Sequence, residues 1–208
     1  MNPILYLHGF ASSPNSRKAV VFQERFAARG LTLLVPDLAE GGFRNLTITG
    51  QLEIIERAAQ GRPVSIIGSS MGGYLAALYA ARHAEVEKTV LLAPAFGFGR
   101  LWSDKLGAEA VENWRGTGVI QTMNYAEGGM AELGWQLMED ALRYEDEPAL
   151  MQPCLIYHGV HDDVVPVGVS RTFVRTRTCA ELREVDSDHE LANVVDEIFD
   201  GIVLFLGL

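Results

Sequence analysis

The stretch Pro63-Val64-Ser65-Ile66-Ile67-Gly68-Ser69-Ser70-Met71-Gly72-Gly73 decides the fold of this chain. An apolar, β-branched run reaches Gly-x-Ser-x-Gly and passes directly into an Ala-rich helical segment. This order of strand, tight turn and helix is typical of a nucleophile elbow, which exposes a serine hydroxyl above the end of a sheet. Positions two before and two after the serine have no room for a side chain, and Gly68 and Gly72 satisfy that requirement. The stretch therefore predicts that Ser70 is a nucleophile and that the Met71 amide stabilises an oxyanion.

Strand and helix patterns alternate along the rest of the chain. Short apolar runs bounded by Gly and Pro are typical of buried parallel strands, and they occur at 4–8, 32–35, 63–67, 88–93, 153–158 and 181–185. Helical patterns occur at about 16–29, 48–60, 72–83, 167–177 and 191–205. The alternation predicts an α/β fold with a doubly wound, mostly parallel six-stranded sheet, in a single domain that spans 1–208. Ligands of such sheets bind at the carboxyl ends of the strands.

One segment of roughly sixty residues interrupts this alternation between the fourth and fifth strands, and it is too long for a simple connection. Within it, the segments 103–113 and 130–143 have helical patterns. We expect residues 96–150, roughly, to form a small helical lid insertion above the site. Its tryptophans are expected to bind substrate, although each could instead simply pack the insertion onto the core; they are Trp102, Trp114 and Trp135.

Two later loops carry candidates for the base and acid that a serine nucleophile needs. In chains with an elbow the order is serine, acid, histidine. Asp162 follows the strand at 153–158 in the pattern Gly-x-x-Asp-x-x-Val-Pro and is the favoured acid, with Asp163 as the alternative. His189 precedes the last helix and is the favoured base, so activity should rise as it loses its proton near neutral pH. The competing histidines are His8, His83, His158 and His161. No metal is expected, because their spacing matches no zinc signature.

A second oxyanion donor is expected in the loop after the first strand. There the sequence Leu7-His8-Gly9-Phe10 places a His-Gly turn directly after an apolar run. The Phe10 amide is the candidate donor, and His8 is expected to shape the loop rather than take part in catalysis.

Composition limits the possible partners. The chain has 208 residues and a formal net charge of −10, which disfavours nucleic acid and anionic membrane as partners. No apolar run approaches the roughly 20 residues that span a bilayer, and the first residues lack the features of a signal peptide. Cys154 and Cys179 lack metal or redox spacing. A cytoplasmic, reducing location is therefore expected.

Together these motifs resemble the α/β-hydrolase superfamily and, more narrowly, the small YqiA/YcfP-type esterases. The resemblance rests on Leu5-Tyr6-Leu7-His8-Gly9-Phe10-Ala11-Ser12-Ser13-Pro14, on Gly68-Ser69-Ser70-Met71-Gly72-Gly73 and on Phe205-Leu206-Gly207-Leu208. It implies a minimal α/β-hydrolase fold and hydrolysis of carboxylesters, or of thioesters, without a cofactor. It leaves the natural substrate open, since many chemistries share this fold.

The resulting prediction is a carboxylesterase for small esters of short- to medium-chain acyl groups. An acyl-CoA thioesterase is an alternative that uses the same three side chains. The acidic composition disfavours a phosphate-rich CoA ligand, although a local basic patch could offset it; that patch would comprise Arg171, Arg175 and Arg177. A catalytically silent binding protein on the same scaffold is the other alternative. The oligomeric state is not predicted.

Overall fold

The computed structural model describes residues 2–208, and its elements follow the alternation expected from the sequence. The strands are β1 (Ile4–Leu7), β2 (Leu33–Leu34), β3 (Val64–Ser69), β4 (Val86–Leu92), β5 (Val119–Asn124), β6 (Gly129–Gly134), β7 (Cys154–Gly159) and β8 (Ala180–Val185). The helices are α1 (Arg17–Ala27), α2 (Ile48–Ala59), α3 (Met71–Ala80), α4 (Phe98–Leu106), α5 (Ala108–Thr117), α6 (Gln136–Ala141), α7 (Gly168–Arg175) and α8 (Val195–Leu206). Short 3₁₀ helices span Phe43–Asn45 and Ala192–Val194.

Six of these strands form the central sheet, in the order β2-β1-β3-β4-β7-β8. Every neighbouring pair in it is parallel. Side chains of α1 and α8 pack on one face of the sheet, and side chains of α2, α3, α7 and the insertion pack on the other. The doubly wound six-stranded fold expected from the sequence is therefore confirmed. Because the strands are parallel, the loops after β1, β3, β7 and β8 meet at one edge.

Helix α3 begins directly at the end of β3 and is buried along its whole length. Its sequence, Met-Gly-Gly-Tyr-Leu-Ala-Ala-Leu-Tyr-Ala, is apolar on every side, as expected for a helix with no solvent-facing surface. Small residues allow the close approach, and a Cβ at Gly73 would already lie 3.0 Å from Pro94 Cβ. The start of α3 is thus in close contact with Pro94, just after β4.

The insertion between β4 and β7 differs from the expected helices. The expected helix at 103–113 is two helices, α4 and α5, which break at Gly107, where φ is +81°. The expected helix at 130–143 is wrong in its first half, because β5 and β6 form an antiparallel hairpin there and α6 begins only at Gln136. The hairpin turn touches the loop after β1, where the Ala126 amide donates to Ala11 O at 3.1 Å. The insertion therefore contacts the loop expected to hold an oxyanion.

Within residues 2–208, no helix has the length and apolar character that a membrane crossing requires.

Candidate active site

The backbone of the turn at Ser70 is strained in the way a nucleophile elbow requires. Ser70 has φ 54° and ψ −119°, a rarely populated conformation for a residue with a side chain. Its amide donates to Leu92 O at 2.8 Å, which fixes the turn to the neighbouring strand. A Cβ at Gly68 would collide with the backbone of Gly72, and one at Gly72 would collide with the carbonyl oxygens that end β1. Both glycines are therefore needed for the turn to fit.

Three side chains from separate loops form one hydrogen-bonded chain at this edge of the sheet. His189 Nε2 lies 3.0 Å from Ser70 Oγ, and His189 Nδ1 lies 2.7 Å from Asp162 Oδ2. The Asp162 side chain is fully buried, whereas the His189 ring is 15% exposed. The structure thus brings together the three residues expected to form a triad, within hydrogen-bonding reach.

Asp162 is held by hydrogen bonds to both carboxylate oxygens. Oδ1 accepts from the amides of Val164 and Val165 at 2.9 and 2.7 Å. Burial alone would raise the pKa of Asp162, but the close contact with His158 and the hydrogen bonds from His189 and the Val165 amide lower it well below its usual value. The carboxylate is therefore ionised at neutral pH. The alternative acid, Asp163, is exposed.

The loop that carries His189 is tied to helix α1. Lys18 Nζ donates to Glu190 O at 2.9 Å, and burial lowers the pKa of this lysine. Leu191 follows in a left-handed conformation and is fully buried. These contacts hold the loop directly after His189. The sequence analysis missed Lys18, since a lysine on an amphipathic helix carries no pattern that points to a site.

The two amides expected to form the oxyanion hole lie near Ser70. A Cβ built on Gly9, the residue before Phe10, would lie 3.4 Å from Ser70 Cβ, so this loop passes directly beside the serine. Among the described residues, neither the Phe10 nor the Met71 amide donates to a protein acceptor. Met71 is also the first residue of α3, where the helix dipole favours negative charge. Both N–H groups are thus available to an oxyanion, and that role stays a prediction.

His8 is buried and supports the Phe10 loop. Its Nε2 accepts from the Leu38 amide at 3.1 Å, so its Nδ1 carries the hydrogen and donates to Gly9 O at 3.0 Å. Burial lowers the pKa of the ring. These contacts fit the expected part of His8 in shaping the loop.

The three tryptophans differ in their positions. Trp102 is partly buried and packs edge-on against Phe10, with ring centroids 5.0 Å apart. Trp114 is completely buried, and its Nε1 donates to Leu133 O at 3.1 Å, so its assignment to substrate binding is corrected to packing inside the insertion. Trp135 is partly buried and packs edge-on against Trp114. Of the three, Trp102 packs against Phe10 in the loop after β1.

Two of the competing histidines, His161 and His83, make their contacts away from Ser70. His161 is exposed and pairs with Asp186 at 2.8 Å. His83 follows the far end of α3, where it stacks on Tyr79. Within the described part of the chain, one group brings three possible metal-ligating side chains within 4.8 Å of one another, and it lies at that same end of α3: Glu56, His83 and Glu85. None of these contacts involves the three side chains at the sheet edge.

Solved structures with the same fold include several esterases and lipases. Est1E from Butyrivibrio proteoclasticus with ferulic acid bound has a TM-score of 0.84 at 19% identity, over 99% of this chain and 88% of that one. Mouse alpha/beta hydrolase domain-containing protein 10 has a TM-score of 0.83 at 17% identity, over 99% of this chain and 89% of that one. A monoacylglycerol lipase from Paleococcus ferrophilus has a TM-score of 0.75 at 18% identity, over 99% of this chain and 95% of that one. These similarities identify the α/β-hydrolase fold.

Comparison by sequence gives a narrower result. No curated protein sequence matches the chain. Residues 3–206, however, match UPF0227, an uncharacterised protein family. The match covers nearly the whole chain and confirms the expected YqiA-type resemblance. The chain therefore belongs to the UPF0227 family.

Proposed function

We propose that the chain is a serine carboxylester hydrolase that acts on esters of short- to medium-chain acyl groups. The observation that carries this proposal is the continuous hydrogen-bonded chain from Ser70 Oγ through His189 to Asp162. Serine is a poor nucleophile unless a base removes its proton, and a base works best when a third group orients it. The arrangement provides both. Solved relatives of the same fold, among them a monoacylglycerol lipase, lend further support.

The proposed reaction proceeds in two steps. His189 Nε2 takes the Ser70 proton as Oγ attacks the ester carbonyl, and the Met71 and Phe10 amides donate to the oxyanion. The alcohol leaves with the proton from His189, which yields an acyl-enzyme. Water then attacks the acyl group by the same route and releases the acid. Asp162 keeps the hydrogen on Nδ1 and stabilises the imidazolium as it forms.

Covalent labelling combined with kinetics tests this proposal on the wild-type protein. A fluorophosphonate probe should label one residue, and peptide mass spectrometry should locate the adduct on Ser70. Hydrolysis of p-nitrophenyl esters should accelerate between pH 5 and 8, because the base must be neutral to accept the proton. An adduct on another residue, or a rate independent of pH over this range, would contradict the assignment.

A substrate panel then separates the candidate substrate classes. The panel should compare p-nitrophenyl acetate, butyrate and octanoate, methyl ferulate, and acetyl-CoA with palmitoyl-CoA. We expect the oxyesters to be preferred. The basic patch that could have held CoA is largely neutralised, because Arg171 forms a two-bond pair with Glu184 and Arg177 bonds to Glu147. A higher kcat/KM for the thioesters would favour the thioesterase alternative.

Trp102 is the proposed wall of the acyl-binding site. Its ring lies against Phe10 and Phe98, so it presents apolar surface beside the proposed oxyanion hole. Trp102→Ala should raise KM for p-nitrophenyl butyrate by about tenfold with little change in kcat, because the lost contact acts in both ground and transition states. Tyr125→Ala is the matched control, since Tyr125 is an aromatic residue of the same insertion that is 74% exposed. A KM unchanged by Trp102→Ala would place the acyl group elsewhere.

A further inference from the structure

His158 is a buried histidine outside the Ser70–His189–Asp162 chain, yet it contacts Asp162 Oδ2, the oxygen that also accepts from His189. It lies on β7 and has no solvent exposure. Its Nε2 is 3.2 Å from Asp162 Oδ2 and 2.9 Å from Val165 O. Asp162 Oδ2 also accepts from His189 Nδ1 at 2.7 Å. Two imidazoles, one from β7 and one from the loop after β8, therefore converge on a single oxygen atom.

The partners of His158 determine which ring nitrogen carries a hydrogen. Val165 O and the ionised Asp162 carboxylate can only accept, so Nε2 must carry the hydrogen. It donates this hydrogen to Val165 O at 2.9 Å, and Asp162 Oδ2 lies beside the same N–H at 3.2 Å. Nδ1 lies 2.8 Å from the hydroxyl of Ser170, a second residue without solvent exposure, which can donate to it. With these partners both ring nitrogens are satisfied and the ring needs no charge.

We propose that His158 is a positioning residue: its Nε2–H donates to Val165 O and lies against Asp162 Oδ2, which holds the turn and its carboxylate in the orientation that receives the His189 Nδ1–H. This inference rests on the proposed function, because it concerns the same site. Backbone amides fix Oδ1 alone, and on the described residues Oδ2 has only the two imidazoles as partners. Without His158, the position of Oδ2 would depend only on the His189 ring that this oxygen is proposed to orient.

The shared oxygen has an electrostatic consequence. A carboxylate oxygen that lies against the N–H of a second imidazole is stabilised by that group and attracts the first imidazole less strongly than it would alone. Removal of His158 therefore strengthens the pull of Asp162 on a protonated His189, and the pH midpoint of activity should rise. Other charged groups face this site from α1, the His189 loop, β8 and α7 and stay constant in the test variants; they are Lys18, Asp188, Glu190, Glu184 and Arg171.

The test compares His158→Leu with His158→Gln, which keeps an N–H donor at a similar reach. The readout is kcat and KM for p-nitrophenyl acetate from pH 5 to 9. His158→Leu should lower kcat by about 10²-fold with little change in KM, as expected for a misplaced catalytic group. Its midpoint should move upward by about one pH unit. His158→Gln should restore the midpoint and most of kcat, a rescue that a purely space-filling role would not produce.

Two further variants keep the outcome decisive. His161→Leu removes the nearby exposed imidazole that does not contact Asp162, and its profile should match the wild type. Ser170→Ala removes the partner of Nδ1, so the midpoint should move upward with a smaller loss of kcat. If circular dichroism shows that His158→Leu fails to fold, the pH midpoints of Ser170→Ala and His158→Gln still test the proposal.

The possible failures are distinguishable. A wild-type protein that shows neither turnover nor Ser70 labelling would overturn the proposed function itself. An active, labelled wild type whose folded His158→Leu and Ser170→Ala variants keep the original midpoint would overturn only the role of His158. An equal midpoint shift in His161→Leu would also overturn it, because the effect would then come from charge at a distance rather than from the contact between His158 and Asp162.

Discussion

Ser70→Ala should lower kcat for p-nitrophenyl acetate by about 10⁴- to 10⁶-fold, the range seen when the nucleophile of a serine triad is removed. The variant removes only the hydroxyl group, whose oxygen lies 3.0 Å from His189 Nε2. No acyl-enzyme can form without it. A small residual rate should remain, because the free amides of Phe10 and Met71 can still polarise a bound ester.

The adjacent serine supplies a matched control. Ser69 ends β3, is 5% exposed, and has no recorded contact with His189 among the described residues. Ser69→Ala should retain turnover and fluorophosphonate labelling, whereas Ser70→Ala should lose both while keeping the wild-type circular dichroism spectrum. Persistent labelling of a folded Ser70→Ala protein, or loss of activity in folded Ser69→Ala, would contradict the assignment of the nucleophile.

The sheet could be predicted from sequence because its signals are local. Most central strands are short apolar runs close to a Gly or Pro, and strand β7, for example, was expected at 153–158 and is found at Cys154–Gly159. The insertion lacks such unambiguous signals. Met130, Leu133 and Leu137 are spaced like one face of a helix, but Met130 is 62% exposed on a strand while the other two are buried. The turn that ends at Gly128 leads into strand β6, which begins at Gly129 and pairs with β5. The helical spacing of these residues is therefore coincidental.

The candidate site was predictable to the extent that it depends on motifs in the chain. Ser70 is identified by its flanking glycines, and the positions of Asp162 and His189 follow from their order after later strands. The contact between His158 and Asp162 has no such signal, since it depends on how the turn after β7 folds back onto the strand. Trp102 and Trp114 both lie in helical segments, and their different burial depends on tertiary contacts such as the bond from Trp114 to Leu133 O.

Gly72→Ala should cause the largest loss of stability among single-methyl additions in this region. The new methyl group would overlap the carbonyl oxygens of Leu7 and His8, which are backbone atoms of the central sheet and cannot rotate away. Relief requires α3 to move from β1, in a core packed as densely as a crystal. We expect a loss of about 3 kcal/mol in the free energy of unfolding, which corresponds to a fall of roughly 10 °C in Tm for a domain of this size.

A second glycine separates this steric effect from the general effect of Gly→Ala. Gly116 lies on the exposed surface of helix α5, and a Cβ there would meet nothing within 4 Å. Gly116→Ala should raise the free energy of unfolding by about 0.5 kcal/mol, because alanine restricts the unfolded chain and favours the helix. Urea unfolding followed by circular dichroism measures both variants. If Gly72→Ala were as stable as Gly116→Ala, α3 could not lie as close to β1 as described, and the elbow would lose the tight turn that presents Ser70.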